Sequence, residues 1–290
     1  MAVKGIISPY IALMKLRVVE LLLVTTVPAL FLAQRGVPPL GITIATLIGG
    51  TLAAGASNAF NMVIEVESDR LMKRTAKRPI VTGAVSKTQA LIFAIAITIL
   101  SLAIFFIFTN ALTTWLTALA IFFYVVGYTM GLKRRTSQNI VWGGIAGCMP
   151  VLIGWAAIAN SLSWTAWAFF FLIFFWTPPH FWAIAIKYKD DYRAAGIPML
   201  PVVAPMRNVE MQMWFHTTGM IIMSVLVVQS ANLPWWTAAL TFMLAVGFGM
   251  ELVKINGPES LRAAGKLFHW SITYLTIYSV LLVIGVLVSN

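Results

Sequence analysis

Nine apolar runs, each long enough to cross a bilayer as a helix, divide this chain from end to end. They lie at roughly 18–35, 41–63, 88–109, 111–131, 138–160, 164–186, 208–231, 234–252 and 268–288. A helix rises about 1.5 Å per residue, so about 20 apolar residues span a hydrocarbon core about 30 Å thick. With 60% of its 290 residues hydrophobic and 10% charged, the chain leaves no stretch from which to build a soluble domain. The expected fold is an all-α integral membrane protein, a single polytopic domain over residues 1–290. The first run holds Glu20 near its start, and Pro178-Pro179 predicts an interruption in the sixth. The longest polar stretches are 64–87, 187–207 and 253–267. No cleavable leader is expected: Met1–Arg17 carries three cations, and no small-residue cleavage site follows.

The cations orient the bundle. With the N-terminus placed inside, every Lys and Arg except Arg35 falls on an inside segment. The positive-inside rule then puts the N-terminus in the cytoplasm and the C-terminus outside the cell membrane. The formal charge of +11 is therefore a topology signal. Nucleic-acid binding is excluded as its cause, because no soluble basic module exists. The single cysteine, Cys148, lies inside a run and permits neither a disulfide nor a thiolate metal site within the chain.

Only nine residues are acidic. Five of them stand in two inside loops, Glu65, Glu67 and Asp69 in the first and Asp190 and Asp191 in the second. On a helix Glu65 and Asp69 share one face, Asn61 extends it by a turn, and Glu67 points elsewhere. Magnesium is a hard cation that takes one or two carboxylates and completes its shell with phosphate oxygens. Glu65, Asp69, Asp190 and Asp191 are therefore the candidate metal ligands. They are also, with Asn61, the candidate catalytic residues. Arg70, Lys73, Arg74, Lys77 and Arg78 offer donors to phosphate charge, and Arg binds it bidentately. The plainer explanation, a solvated loop that enforces topology, suits the cations better than the acids, which contribute little to topology. Glu65 also follows an apolar run directly, where an ionisable group is a functional candidate by default.

The second loop adds Lys187, Tyr188, Lys189, Tyr192 and Arg193 around its aspartates. Two adjacent carboxylates repel and need positive charge beside them. Two acidic clusters on one cavity would bind magnesium across a diphosphate and promote heterolysis of a carbon–oxygen bond. Lys133-Arg134-Arg135, with Gln138 and Asn139, is either a topology anchor or a further grip on anions. His180, after the two prolines inside an apolar run, is a candidate ligand contact or a histidine satisfied by a neighbouring helix. Aromatic runs such as Phe169-Phe170-Phe171 and Phe174-Phe175-Trp176 suit a cation-stabilising cavity, although lipid-facing filler explains most single aromatics.

The string Asn61-x3-Glu65-x3-Asp69 resembles the first acidic motif of the intramembrane aromatic prenyltransferases. Arg74-Thr75-x2-Arg78-Pro79, Lys133-x-Arg135-Thr136-x-Gln138-Asn139, Trp176-Thr177-Pro178-Pro179-His180-Phe181-Trp182 and Tyr188-x-Asp190-Asp191-Tyr192 resemble its protoheme IX farnesyltransferase branch in particular. The matches run from Lys15 to Tyr274. The chain departs from the branch at Glu65 and Glu67, where aspartate is usual, and at Met14-Lys15-Leu16-Arg17, where Thr-Lys-Pro-Arg is usual.

The resemblance implies nine helices ringed around a central cavity open sideways to lipid, with both charged loops capping the cytoplasmic end. It implies farnesyl diphosphate and haem b as substrates, Mg2+ as cofactor and haem O as product. Haem-handling or oxidase-assembly proteins would be partners. Two alternatives differ in what they require. A prenyltransferase for a quinone precursor shares the acidic motifs but lacks the Trp176–Trp182 string. A transporter would place its charges at the bilayer midplane, not at one face.

Overall fold

The computed structural model describes residues 2–289, all helix and connections. Its elements are α1 (Ala2–Met14), α2 (Leu16–Gln34), α3 (Leu40–Ile64), α4 (Val66–Leu71), α5 (Lys87–Phe108) and α6 (Ala111–Phe122), which continues as a π-helix over Phe123–Leu132. Then come α7 (Asn139–Ala159), α8 (Trp164–Lys187), α9 (Lys189–Ala194), α10 (Leu200–Val203), α11 (Met206–Ser230), α12 (Trp235–Leu252) with a 3-10 turn over Val253–Asn256, and α13 (Ser260–Val288). Among the described residues, nine helical segments are long and apolar enough to cross a membrane. The chain is a multi-pass membrane protein.

Local chemistry sets several helix starts. Ser86 and Gln89 form a reciprocal capping box on α5, while Asn110 and Ser163 cap α6 and α8 through their side-chain oxygens. Asn110 also donates to the Ala156 carbonyl at 2.7 Å, tying the start of α6 to the end of α7. Consecutive spans pack on one another, and α13 returns onto α2 and α8. Where α7 meets α2, a Cβ at Gly154 would stand 2.9 Å from the Thr26 carbonyl oxygen, so this approach requires glycine.

Two expectations are corrected. The Pro178-Pro179 pair does not interrupt its span, because α8 runs unbroken from Trp164 to Lys187 with both prolines inside. The helix is deeply packed, and its neighbours hold the backbone in register where two N–H groups are missing. Second, the last helix begins at Ser260, well before the apolar run. Ala263, Ala264 and Leu267 are buried there while Arg262 and Lys266 stay exposed, so an amphipathic turn extends the helix beyond its apolar part. The polar connections carry short helices, α4 in the first loop and α9 and α10 in the second.

Candidate active site

Helical bonding passes through the end of α3 into α4. Glu65 N–H donates to the Asn61 carbonyl at 3.0 Å, and Asp69 N–H donates to that of Glu65 at 2.9 Å. Asn61, Glu65 and Asp69 consequently follow one face and are buried, at 2%, 4% and 3% exposure. Glu67 lies on the exposed side and pairs with Arg70 at 2.9 Å and Lys87 at 3.7 Å. Glu65 Oε2 accepts from Asn61 Nδ2 at 2.8 Å and from Lys133 Nζ at 2.5 Å. Its other oxygen, Oε1, is buried without a partner. Asn61 also donates to Thr129 Oγ1 at 3.3 Å and accepts from Lys15 Nζ at 3.4 Å. Asp69 is held by Arg78.

The second loop meets the first. Arg74 N–H donates to Asp191 Oδ2 at 3.4 Å, and its guanidinium donates to the Tyr192 hydroxyl at 3.3 Å. That guanidinium sits 6.0 Å from the Tyr188 ring centre and 5.9 Å from that of Tyr192. Of the adjacent aspartates, only Asp191 faces this junction. Asp190 is exposed and pairs with Arg193 at 2.8 Å. One short helical turn thus sends the two carboxylates in different directions.

The other predicted residues spread around this centre. Lys73, Arg135 and Lys187 are exposed, Lys187 lying 5.7 Å from the Tyr188 ring centre, and Lys189 is half-buried. Arg70 is turned toward Glu67. Gln138 donates to Gln212 at 2.9 Å on α11. Asn139 donates to the Lys133 carbonyl at 3.0 Å, which fixes the backbone behind that lysine, and its Oδ1 is buried without a partner. His180 stacks between Trp176 and Phe268, with ring centres 4.3 and 4.7 Å away. The Ser271 hydroxyl donates to the Phe268 carbonyl, so His180 Nδ1–H donates to Ser271 Oγ at 2.6 Å. His180 does not line the cavity below, and any approach to a ligand there requires these rings to part.

Sequence reasoning passed over Lys15, Thr129, Tyr124 and Tyr128. Lys15 reaches Asn61 because its own backbone is left-handed (φ 52°), folding α1 against the start of α2. The π-helix brings Thr129 to Asn61 and sets Lys133 Nζ 5.9 Å from the Tyr128 ring centre. The spacing Tyr124-x3-Tyr128-x4-Lys133 at the end of a span was the available signal. Burial pulls the Lys15 ammonium well below its usual pKa, and Arg78 and Lys133 add to the effect. Burial also lowers Lys133, against the pull of Glu65.

Beneath the cluster lies a cavity with about 1380 Å³ of empty space, its open side included. Walls from α2, α3, α6 with its π-helix, α7 and α8 are mainly apolar. Tyr124, Tyr128 and Asn58 stand among them, and α13 contributes Leu275. A Cβ at Gly143 would stand 2.1 Å from Tyr128 Cδ2, so this glycine makes room for the tyrosine ring. Among the described residues no three acidic, histidine or cysteine side chains converge on one point. The donor set nevertheless suits a hard cation that shares its shell with a ligand. It offers carboxylate and amide oxygens, and one buried carboxylate oxygen has no donor.

Nine membrane helices with buried carboxylates and cations clustered at one end and an apolar chamber beneath them define a polytopic membrane protein with an amphiphilic pocket among the described residues. Residues 22–272 match the UbiA prenyltransferase family, and the chain belongs to it. The protoheme IX farnesyltransferase of Streptomyces coelicolor is 48% identical over 280 residues, covering 93% of this chain and 88% of the relative. That of Streptomyces avermitilis is 46% identical over 278 residues, covering 93% and 91%. Among solved structures, a digeranylgeranylglyceryl phosphate synthase superposes with a TM-score of 0.79 at 14% identity, covering 97% of this chain and 98% of its own. A UbiA homologue from Archaeoglobus fulgidus bound to DMAPP and Mg2+ superposes with a TM-score of 0.70 at 17% identity, covering 93% and 99%. These distant structures share the fold.

Proposed function

We propose that this chain transfers the farnesyl group of farnesyl diphosphate to the 2-vinyl group of haem b and releases haem O and diphosphate. The relatives named above carry that activity in their names at 46–48% identity over nearly the whole chain. The observation that carries the mechanism is the contact of Arg74 with Asp191 and Tyr192, which joins the two charged loops over one apolar cavity. The whole chain acts as one membrane domain.

The residues divide the work. Glu65, Asp69 and Asp191, with Asn61 beside them, are the groups that would hold Mg2+, while Asp190 stays at the solvated edge with Arg193. These residues would thereby place a charge that neutralises the diphosphate as a leaving group. Lys15, Arg74, Arg78 and Lys133 supply donors to phosphate oxygens that the ion does not cover. The isoprenoid tail lies in the cavity, whose apolar walls keep water from the allylic cation left by carbon–oxygen cleavage. The faces of Tyr124 and Tyr128 stabilise that cation from within the wall. The vinyl π electrons attack the terminal farnesyl carbon and form the new carbon–carbon bond. The positive charge then rests beside the pyrrole ring, where water adds and loses a proton to leave the hydroxyl. The protein works in the cell membrane with its charged loops in the cytoplasm.

The test is incubation of purified protein with haem b, farnesyl diphosphate and Mg2+, followed by mass spectrometry of the porphyrin. Haem O is expected from the unaltered protein. Asp69→Ala and Asp191→Ala are each expected to abolish product while eluting as folded protein in detergent. Near-normal rates in both variants would remove the metal site from the mechanism.

A further inference from the structure

One face of α13 carries Arg262, Lys266, His269 and Thr273 at successive turns, followed in the same register by Ile277, Val280, Ile284 and Leu287. The first three are exposed, and so are the four apolar residues, at 39–51%. The stripe is therefore polar at the end where the charged loops gather and apolar along the rest of its length. Across from it, α12 presents Glu251 in its last turn and exposes Val246 and Met250. Glu251, Arg262, Lys266, His269 and Thr273 line one groove with Trp270. The groove is structurally fixed, because Trp270 Nε1 donates to the Leu244 carbonyl at 3.2 Å. Its ring also lies so close to α12 that a Cβ at Gly247 would stand 2.4 Å from it.

The groove calls for a ligand carrying both signs of charge. Lys254 takes Glu251 Oε1 at 3.1 Å, but Oε2 is buried with no donor, in the last turn of a membrane helix. Glu251 lines the groove with its side chain 20% exposed and its one cation, Lys254, 57% exposed, so an ammonium entering the groove adds a second partner to a carboxylate only singly paired. His269 Nδ1–H donates to the Gly265 carbonyl at 2.7 Å, which leaves Nε2 as its open nitrogen. Among the described residues Lys266 has no acidic partner. Arg262 meets Glu259 only at 3.4 Å, with both side chains 70% exposed. A phosphate fits the two cations, and a primary ammonium fits Glu251.

We propose that the α12–α13 groove binds one ethanolamine phospholipid of the bilayer. Its phosphate lies on Arg262 and Lys266, its ammonium on Glu251, and its acyl chains along Ile277, Val280 and Ile284. Basic pockets between membrane helices at headgroup depth recognise lipid phosphates, and the acid here selects the amine among them. The prenyl cavity takes only Leu275 from α13, so the groove is a separate site.

Native mass spectrometry of delipidated protein titrated with phosphatidylethanolamine, phosphatidylglycerol or phosphatidylcholine tests the assignment. One phosphatidylethanolamine is expected to bind at about fivefold lower concentration than either of the others, the scale of one charge contact near a membrane surface. Glu251→Gln is expected to reduce phosphatidylethanolamine to the phosphatidylcholine level. Lys266→Gln is expected to weaken phosphatidylethanolamine and phosphatidylglycerol alike. Both variants should keep unaltered haem farnesylation in detergent, which reports that they are folded. Equal retention of the three lipids by the unaltered protein overturns the proposal. So does preference for phosphatidylglycerol, or phosphatidylethanolamine binding undiminished by Glu251→Gln.

Discussion

Glu65 has an asymmetric carboxylate. One oxygen takes Asn61 and Lys133, and the other is buried with no donor. A neutral amide in its place keeps the shape, loses the charge and leaves the Lys133 ammonium facing Lys15 and Arg78 with less compensation. Glu65→Gln is therefore expected to lower kcat by about 10²-fold, the scale set by removing one electrostatic contact at a developing charge. It should also raise the Mg2+ concentration needed for half-maximal rate. Glu65→Asp moves the charge back by one methylene, to the residue usual in the branch this chain resembles, and should retain activity. Single-turnover rates measured across a magnesium titration separate the two variants, and equal behaviour of Gln and Asp would show that the charge is dispensable. At this scale the sequence was informative for Asn61, Glu65 and Asp69, because a four-residue spacing is a local property of a helix. It gave no sign that Lys15 reaches Asn61, an approach that depends on a left-handed joint in the lysine's own backbone. Nor did it separate Asp190 from Asp191, since the direction each takes is set by where α9 begins.

The π-helix after α6 matters at the scale of elements. Its wider turns deliver Tyr124 and Tyr128 to the cavity wall and Thr129 to Asn61, a placement that often accompanies function in membrane and soluble helices alike. The geometry depends on α7 coming close, and α7 can do so because residue 143 has no side chain. Gly143→Ala would set a methyl 2.1 Å from Tyr128 Cδ2 and force the ring or the helix to move. Overpacking of this kind costs about 1–3 kcal/mol, so a lower thermal midpoint and a substantial loss of turnover are expected. Gly147 lines the same cavity one turn on, but a Cβ there meets nothing within 4 Å. Gly147→Ala should leave stability within about 0.5 kcal/mol of the unaltered protein. Thermal unfolding in detergent alongside haem O formation checks the pair, and an equal response at both positions would show that Tyr128 is not held by α7. Neither the π-turns nor the unbroken α8 was legible beforehand. Both depend on neighbours satisfying backbone groups that a local reading of Tyr, Gly and Pro leaves open.

For the molecule as a whole, the apolar runs gave the spans to within a few residues, except for α13, because hydrocarbon thickness imposes its length on each crossing. Polar loops escape that constraint, so the bounds of their inner helices come from the structure. The contacts of Lys15 with Asn61, Glu65 with Lys133, Arg74 with Asp191 and Gln138 with Gln212 draw four separate connections to one end of the bundle. Cation counting along the sequence had sorted the same connections to one side, so two independent arguments agree on which loops belong together. The positive-inside rule is the argument that would turn that side to the cytoplasm, and labelling tests it. Cys148 is the only cysteine and is buried, so single reporter cysteines can be read against a quiet background. Lys77 is exposed in the first charged loop, and Val37, 71% exposed, stands in the connection on the opposite side. In intact cells a membrane-impermeant maleimide is expected to label the Val37→Cys variant and spare Lys77→Cys, with the pattern reversed in inverted vesicles. The opposite labelling would turn the anion cradle away from the cytoplasm, and the diphosphate would then have to reach it from the other side of the membrane.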